Sequence, residues 1–171
     1  MTTDTTARER NPFLEAVGRV TVAGAALDHS LHNMLGMLSM EPTLIHLANA
    51  EGTARLIELC ELVVSVHGFA PEDAADICRC LARAKVLKDK RNTVVHSLYM
   101  GAEDGNGLEA LKSLRKKLGH SATPITVEEM EALADDVEQL RGDIFRATWN
   151  ARAGEKGMAR VPNPAAPAAG A

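Results

Sequence analysis

The chain has few aromatic side chains and no long apolar run. Phe, Trp and Tyr together make up 3% of its 171 residues, whereas apolar residues as a group make up 46%. The core must therefore be built from Leu, Val, Ala, Met and Ile, a mixture that favours packed helices over a sandwich or a barrel. A membrane-spanning helix needs roughly 18 or more consecutive apolar residues. The sequence has no such stretch, so we expect no membrane contact.

Cysteine is also scarce, and the three thiols form no recognisable framework. Cys60, Cys78 and Cys80 are odd in number, and their spacing matches neither a disulfide set nor a zinc site. Cys78 and Cys80 diverge on a helix, which disfavours a redox or metal pair. The polar first residues do not resemble a secretory signal. We therefore expect reduced thiols and a cytoplasmic protein.

Several common catalytic motifs are missing. The chain has no glycine-rich phosphate loop, no nucleophile elbow and no paired-carboxylate signature. We expect no cofactor and no resident metal. The net charge of −4 excludes a general polycation, so contact with nucleic acid would need a local basic patch.

Apolar residues recur at spacings of three and four, which predicts four main helices and one short helix. Pro12, Pro42 and Pro71 each suit the first turn of a helix, and Thr126 with Glu129 forms a capping box. The predicted fold class is an all-α, up-and-down helical bundle. The helices are expected at about 12–40, 42–49, 53–68, 71–99 and 126–149.

The composition divides the chain into one domain and two tails. Residues 1–10 are polar and predicted to be disordered, 11–153 form the bundle, and 154–171 are a disordered tail rich in Ala, Pro and Gly. Residues 108–118 suit either a short helix or an extended segment. Residues 120–125, with the sequence HSATPI, are predicted to be a loop.

The stretch KDKRNTVVH, residues 88–96, places a cation, an amide and an imidazole close together. On a helix, Asn92 and His96 share a face, whereas Arg91 and His96 are separated by about 140° around the axis and about 7.5 Å along it. The long arginine side chain could still converge with the imidazole on one phosphate. That set suits phosphodiester cleavage without a metal, since imidazole moves protons and guanidinium stabilises developing charge.

The spacing alone is weak, because Arg115 and His120 repeat it in RKKLGH. That second instance crosses a glycine, whereas RNTVVH lies within an apolar-periodic helix. The plain alternative for His96 is a histidine of the core, satisfied by a neighbour.

Two basic runs could contact RNA. The first supplies Lys85, Lys88 and Lys90 as candidate RNA-binding residues, and the second lies at 112–117. A solvated helix face is the alternative for either run.

The segment KDKRNTVVHSLY closely resembles the signature of HEPN-domain proteins, in which Arg is followed after four to six residues by His, with a polar residue directly after the Arg. The resemblance implies a helical bundle that forms a homodimer and acts as a metal-independent endoribonuclease in toxin–antitoxin or other defence settings. It implies that Arg91 and His96 are catalytic and that Asn92 is their polar partner. The implied partners are RNA, a second copy and an antitoxin or regulatory protein. The implied products are a 2′,3′-cyclic phosphate and a 5′-hydroxyl.

Two other interpretations stay open. Some proteins of this fold cleave nothing, and the chain could be a non-catalytic interaction or adaptor module that docks a partner through the small residues of its first helix. Alternatively, His29 and His32 could share a metal with Asp28, although no further cluster completes that site. Asp28 or His32 could instead line a cleft opposite Arg91, because the first and fourth helices of a small bundle often touch.

Overall fold

The computed structural model describes residues 10–101, 108–113 and 119–163, and this part of the chain is mostly helical. None of its helices combines the length and the apolarity that crossing a bilayer requires. In chain order the elements are α1 (Pro12–Ser39), α2 (Pro42–Leu47), a 3-10 turn (Ala48–Ala50), α3 (Thr53–His67), α4 (Pro71–Val95), β1 (Leu98–Gly101), β2 (Leu108–Ser113), β3 (His120–Ile125) and α5 (Val127–Lys156).

Helix starts follow the local chemistry of the sequence. The Asn11 side chain accepts a hydrogen bond from the Leu14 backbone N–H at 3.3 Å, which satisfies one orphan donor of α1. The predicted capping box of α5 is confirmed: Glu129 N–H donates to Thr126 Oγ1 at 3.1 Å, and Thr126 N–H donates to the Glu129 carboxylate at 2.9 Å.

The core lies where α1 and α5 run side by side, with α3 and α4 closing it. The α1 leucines that repeat every three or four residues are fully buried, and α5 meets them with aliphatic side chains of its own. Burying such a side chain stabilises the fold by about 1.5–3 kcal/mol. The fully buried large residues include Leu27, Leu31, Leu35, Leu38, Leu81, Met130, Leu140 and Ile144.

The all-α prediction needs one correction, because a small antiparallel sheet of order β1-β2-β3 joins α4 to α5. Helix α4 ends at Val95, so the predicted extension to Tyr99 is wrong, and so is the loop predicted for 120–125. Pro124 is tolerated in β3 because β3 is an edge strand. Of the segment whose structure was left open, residues 108–113 form β2 and 114–118 lie outside the described residues.

The sheet is anchored to the helices at its first strand. The Tyr99 hydroxyl donates to the Val94 carbonyl at 2.5 Å, and its ring meets Phe13 of α1 edge to face at 4.8 Å. On β2, Ala110 pairs with Tyr99 and is fully buried. The sheet is therefore held in a defined place beside the end of α4.

The chain folds back after α5, in a segment that the sequence assigned to a disordered tail. Helix α5 continues to Lys156 rather than ending near Trp149. Arg160 then forms a two-pronged ion pair with the buried Asp73, with Nη1 at 3.2 Å from Oδ2. The Asn150 amide exchanges two hydrogen bonds with the Val161 backbone, at 2.7 and 3.0 Å. Residues 157–163 thus form a clasp from α5 to the first turn of α4, whereas 164–171 and 1–9 lie outside the described residues.

We expect Arg160→Ala to destabilise the fold through Asp73. The substitution leaves a carboxylate with 3% side-chain exposure without its cation. Because Arg160 itself is 44% exposed, we expect the free energy of unfolding to fall by about 2 kcal/mol, below the usual cost of breaking a buried pair. The melting temperature should fall by about 4–8 °C in a thermal scan.

Arg79→Ala is the matched control. Arg79 lies on α4, the helix that carries Asp73, and forms an exposed ion pair with Asp76. Its removal should change stability little. Adding Asp73→Asn to Arg160→Ala should recover part of the loss. Equal melting temperatures for the Arg160 and Arg79 variants would show that the clasp does not stabilise α4.

Candidate anion-binding cleft

The Arg91 guanidinium lies where α1, α3 and α4 meet. Its Nη2 donates to Thr53 Oγ1 at 2.8 Å and lies 3.4 Å from Asp28 Oδ2. The Thr53 hydroxyl in turn donates a short hydrogen bond to Asp28 Oδ1. Thr53 is buried, and the Arg91 side chain is 17% exposed. One cation therefore ties three helices together, and we call these three side chains the Arg91 network.

The prediction that Asp28 or His32 lies opposite Arg91 is confirmed for Asp28. His32 instead contacts the backbone of α2, with Nε2 at 3.2 Å from the Ile45 carbonyl oxygen. His29 is exposed. Within the described residues no group of three or more His, Cys, Asp or Glu side chains could hold a metal ion. The geometry therefore favours Asp28 as a counter-ion over Asp28 as a metal ligand.

Gly24 on α1 makes room for Arg91. A Cβ at this position would lie 3.0 Å from Arg91 Nε and 3.1 Å from both Cγ and Cδ. The close approach to α1 at Gly24 is thus made by an arginine side chain. Arg91 Nε is buried against this surface and has no hydrogen-bond partner within the described part of the chain. The stem of Arg91 is therefore fixed by packing and its Nη2 by hydrogen bonds.

The three residues of the Arg91 network line an open cleft of about 750 Å³. The walls come from α1, the first turn of α3, the second half of α4 and the sheet. Four cations line the cleft against two carboxylates, with hydroxyl and amide groups between them. The lining residues are Asp28, Gly52, Thr53, Ala54, Arg55, Lys88, Asp89, Arg91, Asn92, Lys112, Ser113 and Ser121. Such a set of donors suits a phosphate or a carboxylate.

The structure brings together only some of the predicted site residues. Arg91, Asn92 and Lys88 line the cleft, but His96 is not among its described lining residues. Its ring is exposed at the end of α4, where its backbone N–H closes the last turn on the Asn92 carbonyl at 3.1 Å. The alternative of a core histidine is therefore wrong for His96.

The three candidate RNA-binding lysines occupy different settings. The Lys88 side chain is 20% exposed and contacts Asp89 at 3.0 Å. Lys85 is paired with Glu61 of α3 at 2.7 Å. Lys90 is exposed and lies outside the described lining of the cleft. One lysine of the three is thus placed to meet a ligand in the cleft.

Sequence reasoning missed four polar side chains of the cleft. Thr53 and Arg55 begin α3, and Ser113 and Ser121 lie on the sheet. Lys112 was noticed within a basic run, but its partners in that run, residues 115–117, lie outside the described residues. The arginine of the duplicate spacing, Arg115, is one of them. No local pattern marks these positions, because only the tertiary fold brings them to Arg91.

The thiols take no part in the cleft. Burial raises the pKa of Cys60 to about 12 and that of Cys80 to about 11, so both stay protonated at neutral pH. Cys78 is exposed whereas Cys80 is buried. The predicted divergence of Cys78 and Cys80 is confirmed, and neither forms a disulfide.

Comparison of the chain with models of protein families, with curated proteins and with solved structures finds no match. The geometry and charge of the cleft are therefore the main basis for assigning a function.

We expect Gly24→Ala to destabilise the protein although alanine is the better helix former. The new methyl group would displace the stem of Arg91 and strain its bonds to Thr53 and Asp28. The matched control is Gly18→Ala, six residues earlier on α1, where a Cβ would meet nothing within 4 Å. Gly18→Ala should raise the free energy of unfolding by roughly 0.5–1 kcal/mol, and Gly24→Ala should lower it, as measured by urea denaturation.

A second comparison isolates the cause. In an Arg91→Ala background the clash is gone, so Gly24→Ala should then behave like Gly18→Ala. If Gly24→Ala already matches Gly18→Ala with Arg91 present, the close approach does not constrain Arg91.

Proposed function

We propose that the protein is a metal-independent endoribonuclease of HEPN type, of the kind that acts as a toxin or defence effector. The observation that carries the proposal is the placement of Arg91 and Asn92 of the RNTVVH motif in one cleft with Lys88, Arg55 and Lys112. The surplus of cations is local, because the chain as a whole carries a net charge of −4. Phosphate is the group that such a site attracts from a nucleic acid.

In this proposal the scissile phosphate binds beside Arg91. Nη2 is held by Thr53 and Asp28, whereas Nη1 has no hydrogen bond within the described residues and is left for a phosphate oxygen. A fixed guanidinium stabilises charge as it builds on the phosphoryl oxygens, at no cost of reorganisation. Asn92, the next residue on α4, supplies an amide that can donate to the same phosphate.

The chemical step is an intramolecular transesterification. The ribose 2′-oxygen loses its proton to a base and attacks phosphorus. The bond from phosphorus to the 5′-oxygen breaks, and that oxygen takes a proton from an acid. The products are a 2′,3′-cyclic phosphate and a 5′-hydroxyl. We assign the proton transfers to His96, since imidazole is the side chain suited to both roles near neutral pH.

The position of His96 shapes the proposal. The imidazole is exposed at the end of α4 and outside the described lining of the cleft that holds Arg91. We therefore propose a homodimer, as the HEPN resemblance implies, in which the exposed His96 of one copy reaches the Arg91 cleft of the other. Each site would then be composite.

The same observations favour a second candidate, a non-catalytic binding module. Arg91 already has a carboxylate partner in Asp28, and the cleft itself contains no described residue suited to proton transfer near pH 7. In that case the cleft binds an anionic partner and His96 has no chemical role. The two candidates differ in whether RNA is cut.

We expect the purified protein to cleave RNA in the presence of EDTA. Arg91→Ala should slow cleavage by roughly 100-fold or more, since it removes the transition-state cation, and His96→Ala should do so as well, since it removes the proton-transfer group. The assay follows the 2′,3′-cyclic phosphate product.

His120→Ala is the matched control, because His120 has the same sequence spacing from an arginine but is exposed and lies outside the described lining of the cleft. It should keep wild-type activity. Intact RNA in every sample, with Arg91→Ala still weakening its binding, would support the non-catalytic module. Equal cleavage by wild type and both motif variants would overturn the proposed site.

We expect the two inactive variants to complement each other. When Arg91→Ala and His96→Ala are mixed and allowed to exchange subunits, half of the dimers are mixed and each holds one intact composite site, so about a quarter of the wild-type activity should return. If Arg91 and His96 act within one copy, mixing restores nothing. Size-exclusion chromatography of the same samples shows whether a dimer forms.

A further inference from the structure

The cleft has cations from three of its lining elements. Lys88 and Arg91 project from α4, Arg55 comes from the start of α3, and Lys112 comes from β2 of the sheet. The sheet also contributes two hydroxyl groups, from Ser113 on β2 and Ser121 on β3. A ligand in the cleft is therefore met by charge and hydroxyl groups from α3, α4 and the sheet.

The cations that α3 and the sheet contribute, Arg55 and Lys112, are available to a ligand. Lys112 makes no ion pair within the described residues. Arg55 contacts Glu58 at 2.9 Å, but both side chains are more than half exposed, and such a pair contributes little. In contrast, Lys85 is held by Glu61, and Lys90 lies outside the described lining. The usable positive charge is thus concentrated within the cleft rather than spread along α4.

Aromatic side chains are missing among the described lining residues. Proteins that read single-stranded bases stack them on aromatic rings, and this stacking contributes about 1–3 kcal/mol per base. The stacked pair Phe145 and Trp149 lies on α5, away from this lining. The lining instead offers charge for phosphates and hydroxyl or amide groups for ribose. A cleft of about 750 Å³ is of the size that takes a small ligand, hence a few nucleotides of a single strand.

We propose that the cleft binds the sugar-phosphate backbone of single-stranded RNA without reading its bases, and that Lys112 and Arg55, which we call the second wall, bind phosphates in addition to those bound by Lys88 and Arg91. This inference rests on the proposed function for its substrate. It adds the sheet as a substrate-binding element and assigns sequence-tolerant recognition.

The test is fluorescence anisotropy with labelled eight-nucleotide homopolymers of U, A and C, using the full-length His96→Ala chain so that the RNA stays intact. The three RNAs should bind with dissociation constants within roughly threefold of one another, since no base is stacked. The logarithm of affinity should fall linearly with the logarithm of salt concentration. Lys112→Ala and, independently, Arg55→Ala should each reduce that slope by about 0.7, the value for one phosphate contact on a single strand.

Lys90→Ala is the matched control, an exposed lysine outside the described lining, and it should change neither affinity nor slope. Thermal scans verify that each variant is folded. The two substituted residues lie on different elements, so one local disruption does not account for an effect of both. If the salt dependence of affinity has the same slope for Lys112→Ala and Arg55→Ala as for Lys90→Ala, then Lys112 and Arg55 do not bind phosphate and the second wall is wrong. A preference of more than about tenfold for one homopolymer overturns backbone-only recognition.

Failure of the proposed function gives a different result. If the wild-type chain neither cuts nor binds RNA, both proposals fall together. If the wild type cuts RNA and only the wall variants behave like Lys90→Ala, the ribonuclease proposal stands and the second wall alone is wrong.

Discussion

A guanidinium that is mostly withdrawn from water needs partners, and this need organises the centre of the molecule. With 17% of its side chain exposed, Arg91 would be costly without a carboxylate and hydrogen-bond acceptors nearby. Asp28 of α1 supplies the charge, Thr53 of α3 accepts a hydrogen bond, and Gly24 leaves space for the aliphatic stem. One side chain thus links α1, α3 and α4 at the cleft, in addition to the apolar contacts that pack these helices together.

The same side chain is the strongest anchor for an anion, so Asp28 has two opposing effects. It holds Nη2 in place, which keeps the guanidinium from following a bound ligand. Its charge also lowers the attraction of the cleft for phosphate, and with Asp89 it offsets half of the four lining cations. The carboxylate that keeps Arg91 paired in the free protein is therefore also a competitor of any anion that binds there.

Sequence reasoning worked where the deciding interactions are local. Pro12, Pro42 and Pro71 marked helix starts, and the capping box marked the start of α5. It failed at the end of α4, because Leu98 continues the spacing of three and four set by Val94 while its backbone has already entered β1. The clasp was missed for a similar reason. It lies in the tail 154–171, whose Ala-, Pro- and Gly-rich composition is typical of disorder. Its fixed partner is the buried Asp73, more than 80 residues away in the chain, which pairs with Arg160.

The candidate site, like the fold, was predictable only in part. The juxtaposition of Arg91 with Asp28 could be anticipated from helix packing, whereas Thr53, Arg55 and Lys112 come from elements whose approach to α4 no sequence spacing encodes. Conversely, the helical angle between Arg91 and His96 assumed one continuous helix. His96 is the C-cap of α4, with φ −114° and ψ 15°, so its side chain leaves the helix at an orientation that helical geometry does not describe.

Arg91 lines the cleft, whereas His96 lies outside its described lining. The candidate chemistry therefore has two parts, anion binding and proton transfer, with different requirements. Binding an anion needs fixed charges in a sheltered place, and the chain builds that place by itself around Arg91. Proton transfer needs an imidazole that can reach the reacting oxygens, and His96 is exposed at the edge of the helical bundle instead. The described lining of the cationic cleft contains no proton-transfer group. If two copies associate, the exposed His96 of one copy can supply that group to the cleft of the other. Catalysis would then require assembly, whereas anion binding would not, and a single copy would bind RNA without cutting it.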